Sequence, residues 1–419
     1  MQHAKQAPFY AKLWRDHDVD SITEASFAEL PIVTKAEISA AGRSAQVRDG
    51  EVCDEIFTSG TTSTPFVSAK SHSEQRFIAD FYKRFYEGFD LSERPRALQF
   101  NNPYHGGSIS VPSPVHMHRL GVYDRGSFAY ARQLLTEPQD DHGVAADVTV
   151  LVGLERILRA FAIDTAAQIG SGLETKLTSI VTYAQYLSSH SRKLIEDAFG
   201  APVRDRYGLS EIFGGASQAK CGWYFFDPSV WPEVVCPQSG RAIREGRGVL
   251  LLTSLYPFQK AQPFIRYNTG DIVEVTHSSA TKPGELAIKP LGRERYAVRD
   301  GSASTWLIVP SDVYELIDEA SWITRSPLFL DSAQVEDSEK IGHPRYHLRS
   351  SDVQGVKAVE LWVDVKREEL GRAMRISEQL REKLLQRCEP LRHAVEQNSA
   401  SLTVRVVDGF PHDVISYRE

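Results

Sequence analysis

Cysteine is scarce and scattered: Cys53, Cys221, Cys236 and Cys388 are the only four in 419 residues. They form no CxxC or CxxH pair, which argues against a disulfide framework or a ready zinc site and fits a reducing cytosol. Cys221 and Cys236 could still meet in the fold. No run approaches the ~18 apolar residues of a membrane span. The longest, such as Val249 to Leu252, have the length of buried strands. The stretch Met1 to Pro8 has no apolar core of the signal-peptide kind. Positive charge is not in excess either. With 48 Lys and Arg against 55 Asp and Glu the net charge is -7, which disfavours nucleic acid or an anionic membrane as the main partner. GxxxxGK[ST] is missing, so phosphoryl transfer of the Walker type is disfavoured. A soluble, cytoplasmic protein is expected.

What is present is ordinary in bulk and informative in detail. Hydrophobic residues make up 42% and charged residues 25%, ample for a large core, and the length suggests one large and one small domain. Phe9 to about Ala41 reads as helical, with Pro31 breaking the run. Phe77, Phe81 and Phe85 recur at helical spacing and are expected in the core. Asp147 to Val152 and Thr178 to Val181 read as strands, alternating with helices over Leu154 to Ala167 and Ser188 to Phe199. That alternation favours an α/β architecture. From Trp223 to Val275 strand signals dominate, as in an antiparallel sheet or a distorted barrel. Beyond Gly292-Arg293, helical patterns at Ser311 to Ala320 and at Ile376, Leu380 and Leu384 mix with strands ending at Leu402 to Val406. This is a compact α+β unit.

Three short stretches carry chemistry. Thr58-Ser59-Gly60-Thr61-Thr62 offers hydroxyls and a glycine; such a turn lets backbone N–H groups approach a phosphate. Tyr207-Gly208-Leu209-Ser210-Glu211 sets an aromatic face beside a carboxylate. Arg266-Tyr267-Asn268-Thr269-Gly270-Asp271 ends in an acid able to grip two ribose hydroxyls. Together they suggest a nucleotide used for chemistry on another molecule.

These residues resemble the adenylate-forming superfamily of acyl-CoA synthetases, and within it the phenylacetate-CoA ligase branch. Ala7-Pro8-Phe9-Tyr10 and Leu30 to Lys35 are similar to that branch's opening helix and its "LP.TTK" segment. Thr58 to Pro65 is similar to its phosphate loop, Tyr207 to Glu211 to "YGLSE", Arg266 to Asp271 to "RY.TGD", and Gly292-Arg293 to the hinge "GR". The resemblance implies a large α/β N-terminal domain, residues 1–292, with mixed sheets covered by helices and a β-rich subdomain. A small mobile α+β lid, residues 293–419, would follow. It implies ATP and Mg²⁺, an organic carboxylic acid (aromatic acids included) as substrate, and coenzyme A, a carrier-protein thiol or an amine as acceptor. A homodimer stays open. Thr58, Ser59, Gly60, Thr61 and Thr62 would cradle phosphates, Tyr207 and Gly208 would face adenine, and Glu211 would hold Mg²⁺. Asp271 and Arg293 would hold the ribose at the domain junction. Tyr104, His105 and Gly106 fall where the branch builds its acid pocket, and Thr182 and Tyr183 resemble its adenine-side segment; Phe213 and Gly214, with Gly215, would line the junction of the acid and phosphate sites, the glycines leaving room for a bulky or planar acid.

The chain also departs from the pattern. Ser63-Thr64 replaces a glycine and a lysine in the phosphate loop, and no lysine follows Lys383. Arg418 would be the cation standing in for the branch's C-terminal lysine, although a planar guanidinium does not reproduce a lysine's point contact. A second reading follows: a catalytically weakened homologue that binds nucleotide or acyl-AMP and acts as a binding partner.

Overall fold

The computed structural model describes residues 1–19, 21–23, 26–48, 53–57, 66–87, 96–101, 116–121, 125–141, 144–170, 172–276, 286–300, 305–326, 329–330, 333–334 and 342–410. The N-terminal segment is not one helical run. Helix α1 (Pro8–Leu13) stops early, a 3-10 turn covers Phe27–Glu29, and α2 (Lys35–Ala40) leads to α3 (Arg43–Gln46). The reason is packing. Tyr10, Trp14, Val19, Leu30 and Val33 are all buried in one cluster with Leu250, Leu252 and Phe264, and reaching that common surface requires the chain to fold back repeatedly.

Strands β1 (Cys53–Phe57) and β2 (Val67–Ser71) pair as an antiparallel hairpin. After α4 (His72–Glu87) come β3 (Arg96–Asn101), β4 (His116–Gly121), α5 (Arg125–Thr136) and the small hairpin β5 (Gln139–Asp141) with β6 (Val144–Ala146). The alternation read from sequence then follows as β7 (Val148–Leu154), α6 (Glu155–Ile169), β8 (Ser179–Tyr183), α7 (Ser189–Phe199) and β9 (Val203–Gly208). Strands β10 (Gly215–Gln218), β11 (Tyr224–Phe226), β12 (Val230–Val235), β13 (Gly246–Ser254), β14 (Tyr267–Thr276) and β15 (Ala287–Arg293) complete one sheet.

That sheet has 11 strands in the order β12-β13-β14-β15-β11-β10-β9-β8-β7-β3-β4. From β4 to β9 all pairings are parallel; from β9 to β12 all are antiparallel. The stretch from Trp223 onward is therefore the antiparallel half of an open mixed sheet. The parallel half is covered by α5, α6 and α7 through Phe128, Phe161, Ile195 and Phe199, as crossover helices on a parallel sheet must be. The hand-over between the halves falls at β9, and ligand crevices in α/β sheets form outside strand C-termini where the topology switches.

Residues past β15 form β16 (Val298–Arg299), β17 (Trp306–Ile308), α8 (Pro310–Ile317), β18 (Phe329–Leu330), β19 (Ala333–Gln334), β20 (Tyr346–Val353), β21 (Val356–Asp364), α9 (Ala373–Arg387), α10 (Glu389–Glu396) and β22 (Ala400–Val407). Strands β20, β21 and β22 make a separate sheet. On α9, Ile376, Leu380 and Leu384 are the buried face, the stripe legible in the sequence. A smaller cluster joins the two parts: Trp306 and Val309 pack with Leu251, Ile272 and Leu291 of the large sheet. At this seam Gly292, with φ of 111°, lies so near Pro310 that an added Cβ would sit 2.6 Å from the proline Cβ. Among the described residues no helix is long and apolar enough to cross a membrane, and no disulfide forms.

Candidate functional site

Register brings the first two site residues together. Asp271 and Arg293 face each other across β14 and β15, so their side chains meet as a cross-strand pair. Arg293 Nε lies 3.2 Å from Asp271 Oδ1, and Arg293 Nη1 donates to the Thr269 carbonyl at 2.7 Å. Tyr207, near the end of β9, donates its hydroxyl to Asp271 Oδ2 at 2.6 Å. Burial raises the Asp271 carboxyl above its ordinary range, while Arg293 and the Tyr207 hydroxyl oppose the rise. Burial, reinforced by Asp271, also pushes the Tyr207 phenol well up.

Tyr207, Gly208, Asp271 and Arg293 line one cavity of about 380 Å³, together with Ala184, Gln185 and Arg206. A larger groove of about 1020 Å³ runs between the N-terminal segment and β12 to β13, past Phe27, Trp231 and Glu233. None of the described site residues expected from the sequence reaches it. The small cavity lies at the switch between parallel and antiparallel strands, and Arg206, Tyr207, Asp271 and Arg293 converge on it.

Glu211 stands beside this cavity, and its main chain is pinned. Its carbonyl accepts from Lys70 Nζ at 2.7 Å, Gln259 Nε2 at 3.0 Å and Ser68 Oγ at 3.3 Å. Two of these donors lie on β2, so the hairpin whose strands flank residues 58–65 rests against Glu211. The Glu211 carboxylate meets Lys35 Nζ at 3.1 Å and the Tyr267 hydroxyl at 3.5 Å. Glu211 also raises the carboxyl of Asp271, which places the two acids within electrostatic reach of each other.

Lys35 closes the Leu30 to Lys35 segment, to which the sequence assigns no role in the site. A capping box sets it: Thr34 Oγ1 accepts from the Glu37 N–H at 3.2 Å while Glu37 Oε2 accepts from the Thr34 N–H at 2.8 Å, opening α2 at Lys35. The preceding residue is stapled to β14, with Val33 N–H donating to Arg266 O at 3.0 Å and Asn268 N–H to Val33 O at 2.8 Å. Lys35 Nζ also lies 5.0 Å over the Phe66 ring. The Thr34-x-x-Glu37 pattern is the signal available in the sequence. Arg266, by contrast, serves the scaffold: it pairs with Glu233 at 3.2 Å and donates to the carbonyls of Ala28 and Leu30.

Thr182 is fully buried and donates to Asp205 Oδ1 at 2.7 Å, while Tyr224 donates to Asp205 Oδ2 at 2.6 Å. Thr182 thus acts through Asp205, itself a lining residue of the cavity. Tyr183 is half-buried against the α6 and α7 core. Phe213 lies in an aromatic group, 6.4 Å from Phe258 and 6.2 Å from Tyr82, and its N–H donates to Gln259 Oε1 at 3.2 Å. The expected phosphate-loop residues Thr58, Ser59, Gly60, Thr61 and Thr62, the acid-pocket residues Tyr104, His105 and Gly106, and Arg418 lie outside the described residues.

Gly214, expected to leave room for a bulky acid, faces a space that is already taken. Its φ is 99°, and a Cβ there would stand 2.1 Å from Ser229 Oγ, so Ser229 fills it. Gly214→Ala is expected to lower stability by about 2–4 kcal/mol, from overpacking and a left-handed backbone, read as an earlier urea midpoint.

Lys70 gives a pH signature. Burial pushes its ammonium down to about 8, against the pull of Glu74 and Glu211. Above that pH the folded chain has released a proton that the unfolded chain still holds, so stability rises with pH. Between pH 8 and 9.5 the gain is expected to reach about 1.5–2 kcal/mol, and Lys70→Met abolishes it. At higher pH ionisation of buried tyrosines such as Tyr10, whose phenol is raised by burial, takes over in the opposite direction. Urea titrations of both proteins across this window read the difference.

No protein-family model matches the sequence. The fold is nevertheless that of adenylate-forming acyl-CoA ligases. Across 100% of this chain and 88% of the other, it superposes on the open conformation of 2-hydroxyisobutyryl-CoA ligase in complex with 2-HIB-AMP and CoA, with a TM-score of 0.65 at 17% identity. ATP-bound MatB of Rhodopseudomonas palustris aligns over 86% of this chain and 65% of its own, with a TM-score of 0.54 at 14% identity. Sequence similarity points to the branch already named. Phenylacetate-coenzyme A ligase of Thermus thermophilus is 33% identical over 114 residues, covering 26% of this chain and 25% of that protein. The enzyme of the same name from Escherichia coli is 36% identical over 95 residues, 21% of each chain. The matched stretch thus spans about a quarter or less of these relatives.

Proposed function

We propose that the chain is an ATP-dependent, AMP-forming ligase that activates an organic carboxylic acid as an acyl-AMP and passes the acyl group to coenzyme A. The observation that carries this reading is the convergence of Tyr207, Asp271 and Arg293 on one cavity with Glu211 at its side. The Tyr207 ring offers a flat face to adenine, and Asp271, buried yet paired with Arg293, is an acceptor for ribose hydroxyls. The phosphates would run from there toward Glu211, the ammonium of Lys35 and the segment 58–62. An oxygen of the acid attacks the α-phosphorus, the bond to pyrophosphate breaks, and a thiol sulfur then displaces AMP. A carrier-protein thiol or an amine is an alternative acceptor of the same chemistry.

Mg²⁺ fits the donor set. It binds through one or two carboxylates completed by phosphate oxygens and water, and Glu211, whose carbonyl is triply held, offers one such carboxylate beside the phosphate route. When bound, the ion supplies charge neutralisation on the phosphates. Lys35 pairs directly with the Glu211 carboxylate, and the buried Lys70 also feels its charge. Division of the chain into residues 1–292 and a lid of residues 293–419, hinged at Arg293 to Tyr296, belongs to the same reading; a separate core cluster beyond Val298 supports it. The cytoplasm, suggested by scattered cysteines, is the matching compartment.

The test is ATP–pyrophosphate exchange with a panel of aliphatic and aromatic acids, followed by mass spectrometry of products formed with coenzyme A or amines. Acid-dependent exchange is expected. ATP binding without exchange for every acid would favour the binding-protein reading, and no binding at all would end both.

A further inference from the structure

Residues 209–214 link β9 to β10 and belong to no strand, yet Glu211 and Ile212 are buried within them. Buried main-chain groups need partners wherever a ladder stops. A single side chain serves two of them here. Gln259 Nε2 donates to the Glu211 carbonyl at 3.0 Å, and Gln259 Oε1 accepts from the Phe213 N–H at 3.2 Å. The carbonyl of one residue and the N–H two places on are what one residue of a parallel strand would take. The Gln259 carboxamide therefore stands in for a missing strand. Lys70 and Ser68 also reach the Glu211 carbonyl, but among the described residues the Phe213 N–H has Gln259 alone.

Gln259 is itself locked. It is fully buried, and its Nε2 donates a second time, to the Gln262 carbonyl at 2.7 Å. Both of its N–H groups are used, which fixes the amide in one orientation. Two further amides carry the connection onward. Gln262 Oε1 accepts from the Ala69 N–H of β2 at 2.8 Å, and its Nε2 donates to Gln46 Oε1 at 3.0 Å. Gln46 Nε2 in turn donates to the Ile38 carbonyl of α2 at 2.7 Å. That helix begins at Lys35, whose Nζ meets the Glu211 carboxylate at 3.1 Å. The Lys35–Glu211 pair is thus tied from both ends by one chain of amides.

We propose that Gln259 is a positioning residue for Glu211, holding residues 211–213 so that the carboxylate and Lys35 together face the phosphates of a bound nucleotide. The proposal rests on the nucleotide reading above and assigns a role to a residue outside its motifs. Gln259 lines the larger groove and not the nucleotide cavity, so it acts only through the main chain of 211–213. Adenine and ribose fall to Tyr207 and Asp271, on β9 and β14, which this bracket does not touch. Its loss is therefore felt by the β- and γ-phosphates, and not by the base or the ribose.

Calorimetric titration of the full chain, with ATP in the presence of Mg²⁺ and separately with AMP, tests this. Gln259→Glu keeps the shape of the side chain and replaces the donor by an acceptor, which repels the Glu211 carbonyl. Its ATP affinity is expected to fall about tenfold, as for one misplaced charge-assisted contact, with AMP affinity within about twofold of wild type. Should Gln259→Glu fail to fold, Gln259→Met, apolar and of similar length, carries the same expectation. A merely structural role would weaken both ligands together or neither. Wild-type chain that binds neither ligand would overturn the nucleotide reading and the bracket with it. Wild type that binds both, with folded variants that keep full ATP affinity or lose AMP in equal measure, would overturn the bracket alone.

Discussion

Asp271→Asn is expected to weaken ATP binding by about two to three orders of magnitude while leaving the fold in place. The substitution keeps the shape of the side chain but removes the charge that makes it a strong double acceptor. Two charge-assisted hydrogen bonds to ribose hydroxyls, each about 1.5–3 kcal/mol, would weaken together. Arg293 would lose its counterion, now 3.2 Å away, yet its side chain is partly exposed and retains the Thr269 carbonyl at 2.7 Å, so solvent limits the cost to folding. Calorimetric titration with ATP reads the first effect and thermal unfolding the second. An affinity within threefold of wild type would remove Asp271 from the nucleotide site.

Asp318→Ala is expected to produce the largest loss of stability, about 3–5 kcal/mol. Breaking a buried ion pair by deleting one partner leaves the other charge without compensation. Here two guanidinium groups converge on one carboxylate, Arg159 at 2.7 Å and Arg325 at 3.1 Å. Both arginines are almost wholly buried, so water cannot replace the lost acceptor. The expected result in urea is a lower midpoint, or an early separate transition of residues beyond β15 if that part unfolds first. A midpoint unchanged within error would show that this cluster is open to water in solution.

Motif residues are legible where one short stretch carries both the chemistry and the local structure. Tyr207 and Asp271 sit on strands whose β-branched or alternating texture is visible, and the register that joins Asp271 to Arg293 links neighbouring strands. Lys35 is not legible as a partner of Glu211, because 176 residues separate them and only the sheet brings them together. Arg266 looks like a nucleotide residue by its place in the motif, but the pairing with Glu233 and the carbonyls of Ala28 and Leu30 is a long-range fact of packing. The N-terminal helical run is shorter than its pattern suggests for the same reason. Its residues have helical propensity, and the common burial of Trp14, Leu30 and Val33 overrides it. Gly214 carries a message that composition cannot express: the space it vacates belongs to Ser229 Oγ.

The buried cluster after α8 is invisible in sequence for a related cause. Asp318, Arg159 and Arg325 are common surface residues taken singly, and only their convergence at a buried point gives them meaning. Ser188 shows both sides of this limit. As the residue opening a helical pattern it is a natural N-cap, and it does accept from the Ser191 N–H at 2.9 Å. Its second bond, from Oγ to Asp318 Oδ2, depends on where the chain past β15 packs.

One crystal structure would weigh most: the chain grown with ATP and an acid that supports exchange. Adenine against the Tyr207 ring, both ribose hydroxyls on Asp271 and the phosphates leading to Glu211 would bear out the account. A nucleotide bound in the groove beside Trp231, or one whose ribose turns away from Asp271, would contradict it.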